Sequence, residues 1–510
     1  MRRIVLSVLI FLLAASVLSA AVIEDKDRIK PAVAKSFDYA DGSSTVVKIY
    51  QRQMDEYPCK PLFKYVDVMN QALRYKKAHF NEDVEVRFAM YTLSLATYFH
   101  YNDDDPDYGE MTSEAVKGKT GNILDMAVLL AKHQVKINFA AQTNIAKDVE
   151  PLLNEPCITD SGRKVGDYLT FTYVRWGGES EQQMHAKFIT ANRILDDSGA
   201  VHSNVVYLAS SNIDALYDNF FKSTQERAQT GVLILDNPGI YKAFNTYQSW
   251  IPQYFDNQKG FQDEVRAAHK AKSLNYSDQY FHTHFTPVLS VTEDDEFSPD
   301  SYSPAGPKES AWDLENNMFA KYMDEMVNSD RGERLFYANV YHYKTAWNDF
   351  FGWKMFKSLR GLYFGQKYDN SANCYITDMQ NKDLEGLKNK KLKPDKKSPL
   401  VTKWIIETST STHRFSGDGG FLKGLSIISG NKALYYKADH KYKTHCKDVL
   451  FSYIKGGEPK YVVITGSTNL KRDDNANKAN ASVAILESKA DHAIFDAYKS
   501  FIDSIVDSRK

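Results

Sequence analysis

The 510-residue chain has almost no net charge: 64 Lys and Arg stand against 65 Asp and Glu, for a formal charge of −1. A protein that coats nucleic acid needs a broad positive field against the phosphate backbone, and this composition excludes one while leaving room for a local basic cleft. Cysteine is scarce. The four present (Cys59, Cys157, Cys374 and Cys446) are spaced too widely for a thiolate zinc site. Beyond Val17 no apolar stretch is long enough to span a bilayer. What remains is a chain that is 43% hydrophobic and long enough for roughly two to four packed domains.

Its first residues have a separate logic. Arg2-Arg3 precedes an apolar run from Ile4 to Val17, which closes on Ser19-Ala20-Ala21. That is the charged, apolar and small-residue order of a secretory signal. It predicts a signal peptide over residues 1–21, a secreted or lumenal protein, and no integral membrane segment once the signal is removed. An uncleaved anchor is the alternative, because the run is near the minimum for spanning.

Two segments repeat each other. Met184-His185-Ala186-Lys187 is followed by a β-like run and Ala209-Ser210-Ser211-Asn212. Thr444-His445-Cys446-Lys447 is followed by Tyr461-Val462-Val463-Ile464 and Gly466-Ser467-Thr468-Asn469. A lone His-x-Lys carries no weight, since with 13 His about one is expected by chance. A third, His342-Tyr343-Lys344, serves as the control: its downstream Asn373 follows turn-like residues instead of a hydrophobic run. The other two are supported by a wider likeness. At an offset of 251 positions, Gln229 to Asp236 aligns without a gap on Asn480 to Glu487. The same offset sets Phe244, Tyr247, Ser249 and Ile251 on Phe495, Tyr498, Ser500 and Ile502. Both copies read as a buried strand followed by an amphipathic helix, so one structural unit occurs twice.

The rest of the chain fits α/β layering. Leu62, Val66, Met69 and Leu73 predict a helix from Cys59 to Ala78, and a strand follows from Val84 to Tyr91. A helix over Ile123–Ala131 feeds a strand over Val135–Phe139. The second half repeats the theme, with helices over Trp312–Val327 and Trp347–Leu359 around a strand at Arg334–Val340. Residues 286–310, rich in Pro, Ser and acid, read as a linker between one half at 45–257 and another at 310–506. Were the halves to fold separately in an oxidising compartment, Cys59–Cys157 and Cys374–Cys446 would be the disulfides to expect, with Cys446 as a buried free thiol the alternative. His282-Thr283-His284 lacks the acidic or thiolate partners of a metal site.

The paired His-x-Lys…Asn motifs resemble the signature of the phospholipase D superfamily, over roughly residues 45–257 and 310–506. The resemblance implies two similar α-β-α sandwich halves related by a pseudo-twofold axis, with one active site at the seam. It also implies phosphodiester exchange through a phosphohistidine without a metal or other cofactor, on a phospholipid or a nucleic acid, with peripheral membrane contact possible. The residues agree chemically. On a strand, His and Lys at i and i+2 face the same way, so each half offers an imidazole beside a cation. By the resemblance His185 is the nucleophile and His445 the acid, while Lys187, Lys447, Asn212 and Asn469 hold the non-bridging oxygens. Many members carry Asp five residues after the Lys; here those positions are Asn192 and Ser452, which resembles the tyrosyl-DNA phosphodiesterase branch more than the head-group lipases. The residue that orients each catalytic His falls on Gln229 and on Asn480, the latter expected beside His445. Neither stabilises an imidazolium as a carboxylate would, so a weakly active or inactive protein that binds phosphate-bearing ligands is the alternative. Asn480-Ala481-Ser482 is also a glycosylation sequon, and a glycan there is incompatible with a buried role.

Overall fold

A computed structural model describes residues 30–53, 60–95, 99–100, 120–176, 183–213, 227–288, 316–327, 329–330, 333–340, 370–378, 401–407, 434–437, 443–469, 475 and 477–507. The signal segment, nearly all of the linker, the control His342-Tyr343-Lys344 and the helix at 347–359 lie outside them.

Half 1 begins with β1 (Val33–Asp38), β2 (Ser44–Arg52), α1 (Lys60–Ala78) and β3 (Glu85–Met90), then the short pair β4 (Phe99–His100) and β5 (Thr120–Gly121). It continues with α2 (Ile123–Lys132), β6 (Lys136–Ala141), β7 (Leu169–Tyr173), β8 (Lys187–Leu195), β9 (Val201–Ala209), β10 (Arg227–Leu235), α3 (Pro238–Gln253) and α4 (Gln258–Lys270). Half 2 holds β11 (Phe281–Phe285), α5 (Met318–Val327), β12 (Glu333–Val340), β13 (Asn370–Asp378), β14 (Val401–Glu407) and β15 (Leu434–Lys437). It ends with β16 (Lys443–Thr444), β17 (Lys447–Lys455), β18 (Glu458–Gly466), β19 (Ala481–Ser488) and α6 (Ala493–Asp507).

The fold is mixed α/β with two large sheets. The first runs β1-β2-β10-β9-β8-β3-β6-β7 and the second β11-β19-β18-β17-β12-β13-β14-β15. From β10 and from β19 onward the two orders match strand for strand. Sheet 1 is buried on both faces, and the side-chain period of two divides it cleanly. Val86, Phe88, Ile189, Tyr207 and Leu233 join the core under α1 and α2. Phe188, Val206, Leu208, Val232 and Ile234 face the opposite way, into a second core shared with half 2. That shared core also takes Phe244 and Tyr247 of α3, Phe495 and Tyr498 of α6, and Leu450, Val463 and Ile485 of sheet 2. The offset of 251 positions is therefore a spatial equivalence: α3 and α6 are the same helix on the two sheets, both packed in the middle layer.

Local chemistry starts the helices where they are needed. Asn122 caps α2 by accepting from Leu124 N and Asp125 N at 2.9 and 3.0 Å, and Asp125 answers at the Asn122 N–H. Asn237 accepts from Ile240 N at 2.8 Å and Pro238 follows it, an order suited to a helix first turn. Each cap contributes about 1 kcal/mol.

Three expectations are corrected. Cys374 lies on β13 and Cys446 directly before β17, on opposite sides of β12. Two strand spacings are roughly 10 Å, beyond the ~7 Å that a disulfide spans between Cα atoms, so the pair cannot bridge and Cys446 is a buried free thiol. Cys157 is also free, its Sγ donating to the Ala131 carbonyl at 3.5 Å, and the pairing with Cys59, itself outside the described residues, is not made. The second sheet, finally, begins with β11, ahead of the linker at 286–310. Strand β11 pairs antiparallel with β19 as β2 does with β10.

Candidate active site at the seam

The sequence-predicted residues converge where the two sheets meet edge on. In sheet 1, β3 ends and β8 begins at the pair Met90–Lys187, while β9 ends beside Gly231 of β10. In sheet 2 the equivalent corner is Val340–Lys447 and Gly466–Ser482. Two matching bridges join the corners. Ala228 pairs parallel with Thr444, and Met184 with Ala479. Each His thus sits one residue past a bridge to the other half, and His445 N donates to Ala228 O at 2.8 Å.

Both imidazoles are buried, and each is held by an amide from the opposite half. His185 Nδ1 lies 2.7 Å from Asn480 Oδ1 and 3.1 Å from the Ser467 carbonyl. His445 Nδ1 lies 3.3 Å from Gln229 Oε1. The expected placement of Asn480 beside His445 is therefore wrong: the partners cross the seam, Asn480 to His185 and Gln229 to His445. The Ser of each repeated motif supports its amide. Ser210 Oγ accepts from Thr230 N at 3.0 Å and donates to Gln229 Oε1 at 2.7 Å. Ser467 Oγ accepts from Ala481 N at 3.0 Å and is 3.4 Å from Asn480 Oδ1. The side-chain amide of Asn480 is anchored in turn by its Nδ2 donating to Thr286 Oγ1 at 3.2 Å, which fixes which end faces the imidazole.

The lysines fold back alike. Lys187 Nζ donates to His185 O at 2.8 Å and Lys447 Nζ to His445 O at 2.6 Å. Asn212 and Asn469 stand two residues beyond Ser210 and Ser467, and both Oδ1 atoms are buried. Tyr65 donates to the Lys187 carbonyl at 3.0 Å, and the Tyr91 ring lies 5.2 Å from the His185 ring with the Lys187 ammonium 5.1 Å from its centre. Asn480 is fully buried, so its sequon offers no acceptor for a glycan. Gly466, at φ +144°, replaces the Ala209 of half 1 because an added Cβ would lie 2.5 Å from Ala481 O.

The two histidines differ in what faces Nδ1. His185 Nδ1 faces two acceptors, so the neutral ring carries its proton there and its lone pair on Nε2. His445 Nδ1 faces the Gln229 amide oxygen and, at 3.2 Å, the Lys447 ammonium, so its proton is not pinned in the same way. Sequence reasoning missed Ser210, Ser467, Thr286, Tyr65 and Tyr91. The two serines were visible as the constant residue of the small-Ser-x-Asn repeat. Among the described residues no group of three or more His, Cys, Asp or Glu is placed to hold a metal, and no helix is long and apolar enough to cross a membrane.

No protein-family description and no curated protein sequence matches this chain. Several solved structures resemble its fold at low identity. A phosphatidylserine synthase of Haemophilus influenzae is similar at 9% identity, with 90% of this chain and 85% of the other covered and a TM-score of 0.44. A polyphosphate kinase of Porphyromonas gingivalis is similar at 10% identity over 89% of this chain and 50% of the other, with a TM-score of 0.37. A mutant yeast tyrosyl-DNA phosphodiesterase is similar at 8% identity over 86% and 90%, with a TM-score of 0.34.

Proposed function

We propose that the protein is a phosphodiesterase of the phospholipase D type that works through a phosphohistidine, delivered by its N-terminal segment to a secreted or lumenal compartment. The supporting observation is the pair of buried imidazoles, each held at Nδ1 by an amide oxygen of the opposite half and each followed by an inward-folded lysine. In this reading His185 Nε2 attacks phosphorus and the bond to the leaving oxygen breaks. Protonated His445 gives its proton to that oxygen, then takes one from the water that releases the phosphoryl group. Lys187, Lys447, Asn212 and Asn469 stabilise the charge gathering on the non-bridging oxygens. The substrate is a phospholipid or a nucleic acid. Purified protein assayed on phosphatidylcholine, single-stranded DNA and bis(p-nitrophenyl) phosphate, with His185→Ala as control, separates the classes. Turnover of none of them, or equal turnover by the control, sinks the reading.

A second reading rests on a specific observation. Both imidazoles are paired with neutral amides, which support an imidazolium less than carboxylates do. A site that binds phosphate-bearing ligands without turnover then follows, and binding of a phosphate ester without hydrolysis in the same panel would select it.

A further inference from the structure

Behind the catalytic side chains the two halves part company. In half 1 the residue after the motif lysine is Phe188, cross-strand from Leu208, and Ala481 of the opposite half's sheet is the equivalent of Thr230; all three belong to the shared core. The equivalent positions in half 2 are Asp448, hydrogen-bonded to Thr465 of the neighbouring strand β18 and met by Thr230 from half 1. An apolar trio has become a carboxyl and two hydroxyls in a place with no access to water: Asp448 and Thr230 are 0% exposed and Thr465 1%. The fold manages this position without polarity in one copy, and burying a carboxyl is costly unless it is well compensated. A role in the site accounts for the difference.

We propose that Asp448 is the positioning residue of the His445 half-site. Its Oδ1 accepts from Thr230 Oγ1 and from Thr465 Oγ1, both at 2.8 Å, and so ties β10 of half 1 to β18 of half 2. Thr230 is the residue after Gln229, the amide that meets His445. Asp448 is the residue after Lys447, whose ammonium lies against the same imidazole. One carboxyl thereby seats the His445 partner and, once ionised, sets an anion behind its lysine, a charge that His185 has no equivalent of because Phe188 stands there. This favours a proton on His445, the group read above as the acid, and leaves His185 the nucleophile.

The surroundings compensate the carboxyl only in part. Asp448 Oδ2 is buried with no hydrogen-bond partner among the described residues, and its cross-strand neighbour on β12 is Asn339, whose buried Nδ2 is a donor in the same condition. From α6, Tyr498 brings a buried phenol to the same place, equivalent to Tyr247 beside Phe188. The charged and titratable groups around the carboxyl are Lys447 on its own strand, the Cys446 thiol just before that strand and the Tyr498 phenol on α6. Lys447 favours the ionised form, while burial pushes the carboxyl up to about 7.

The kinetic part of this inference rests on the phosphodiesterase reading; the titration part does not. Asp448→Asn keeps an acceptor for both threonines and removes the charge. The triple variant Asp448→Phe, Thr465→Leu, Thr230→Ala transplants the half 1 trio and guards against a folding failure of the first. In both, the His445 ring titration followed by NMR should move down by about 0.5–1 pH unit, with the His185 midpoint unchanged. Turnover of a substrate with a poor leaving group should fall about tenfold or more, and that of a p-nitrophenyl ester much less. An unmoved His445 midpoint in folded variants overturns the inference even if the wild type is active. A wild type that turns over nothing removes the phosphodiesterase reading, while the NMR shift still decides the role of Asp448.

Discussion

Asp448→Asn is expected to stabilise the protein, and to do so increasingly as pH rises. Burial holds the Asp448 carboxyl at about 7 in the folded chain, against 3.8 for a free aspartate. Between those values the unfolded chain has lost its proton and the folded one keeps it. A folded-state pKa above the unfolded value gives a contribution that is intact below about pH 4 and is lost as pH climbs, with a slope of about 1.4 kcal/mol per pH unit, until the loss is complete near the folded pKa. A gap of about three pH units makes this about 4 kcal/mol. No discount for solvent screening applies, because the group is 0% exposed. Asparagine has nearly the same shape, accepts from Thr230 and Thr465 as before, and does not titrate. Urea unfolding of both proteins at intervals from about pH 4 to about pH 8.5 gives the test, since groups common to both cancel in the difference. The two stabilities should lie close at the acid end and separate by several kcal/mol at the alkaline end. Parallel curves across that range would refute the reasoning, for they would mean that Lys447 and the hydroxyls compensate the buried charge in full.

Four further outcomes follow from the same geometry. Residues 22–272 and 273–510 expressed separately should be inactive, because each half lacks the amide that holds its imidazole; turnover by one monomeric half would contradict the shared seam. Gly466→Ala should cost about 2–4 kcal/mol in urea unfolding, since the new Cβ meets the backbone at Ala481 and Ser482; a loss under about 0.5 kcal/mol would be inconsistent with that clash. His445→Ala should accumulate an acid-labile phosphohistidine at position 185 with a p-nitrophenyl ester, whereas His185→Ala should form none; an adduct on His445 in the wild type would reverse the roles. Activity should survive exhaustive chelation, and its loss with rescue by one metal would overturn the two-imidazole mechanism.

Much of this arrangement was legible in the sequence because the chain states it twice. The strands at 84–91 and 135–139 and the helices at 59–78 and 123–131 fall within a few residues of β3, β6, α1 and α2, since each carries its own apolar period. The strand β11 was not legible. Its five residues carry two histidines, and what makes Phe281 and Phe285 core residues is the pairing with β19, some two hundred residues away. Asp448 escaped notice for a similar reason. Next to Lys447 it reads as one more surface charge, and only the register of β17 against β18 and the Thr230 hydroxyl from half 1 reveal that it is buried.

The crossing of the amides was beyond any reading of the repeat, and the reason is symmetry. A pseudo-twofold axis carries His185 onto His445 and Gln229 onto Asn480 together. Pairing each His with the amide of its own half respects that operation, and so does pairing it with the amide of the other half. A sequence offset records the operation but not which side of the axis each strand end lies on. The bridges Ala228–Thr444 and Met184–Ala479 settle it, because each places the residue before one half's amide against the residue before the other half's His. The consequence is mechanistic as well as architectural. Neither imidazole is oriented until both halves have folded and met, so the chemistry of the site and the docking of the halves are a single event. In the phosphodiesterase reading proposed above, the layer behind the site, where Asp448 stands against Phe188, is then where an otherwise symmetric pair of histidines acquires different tasks.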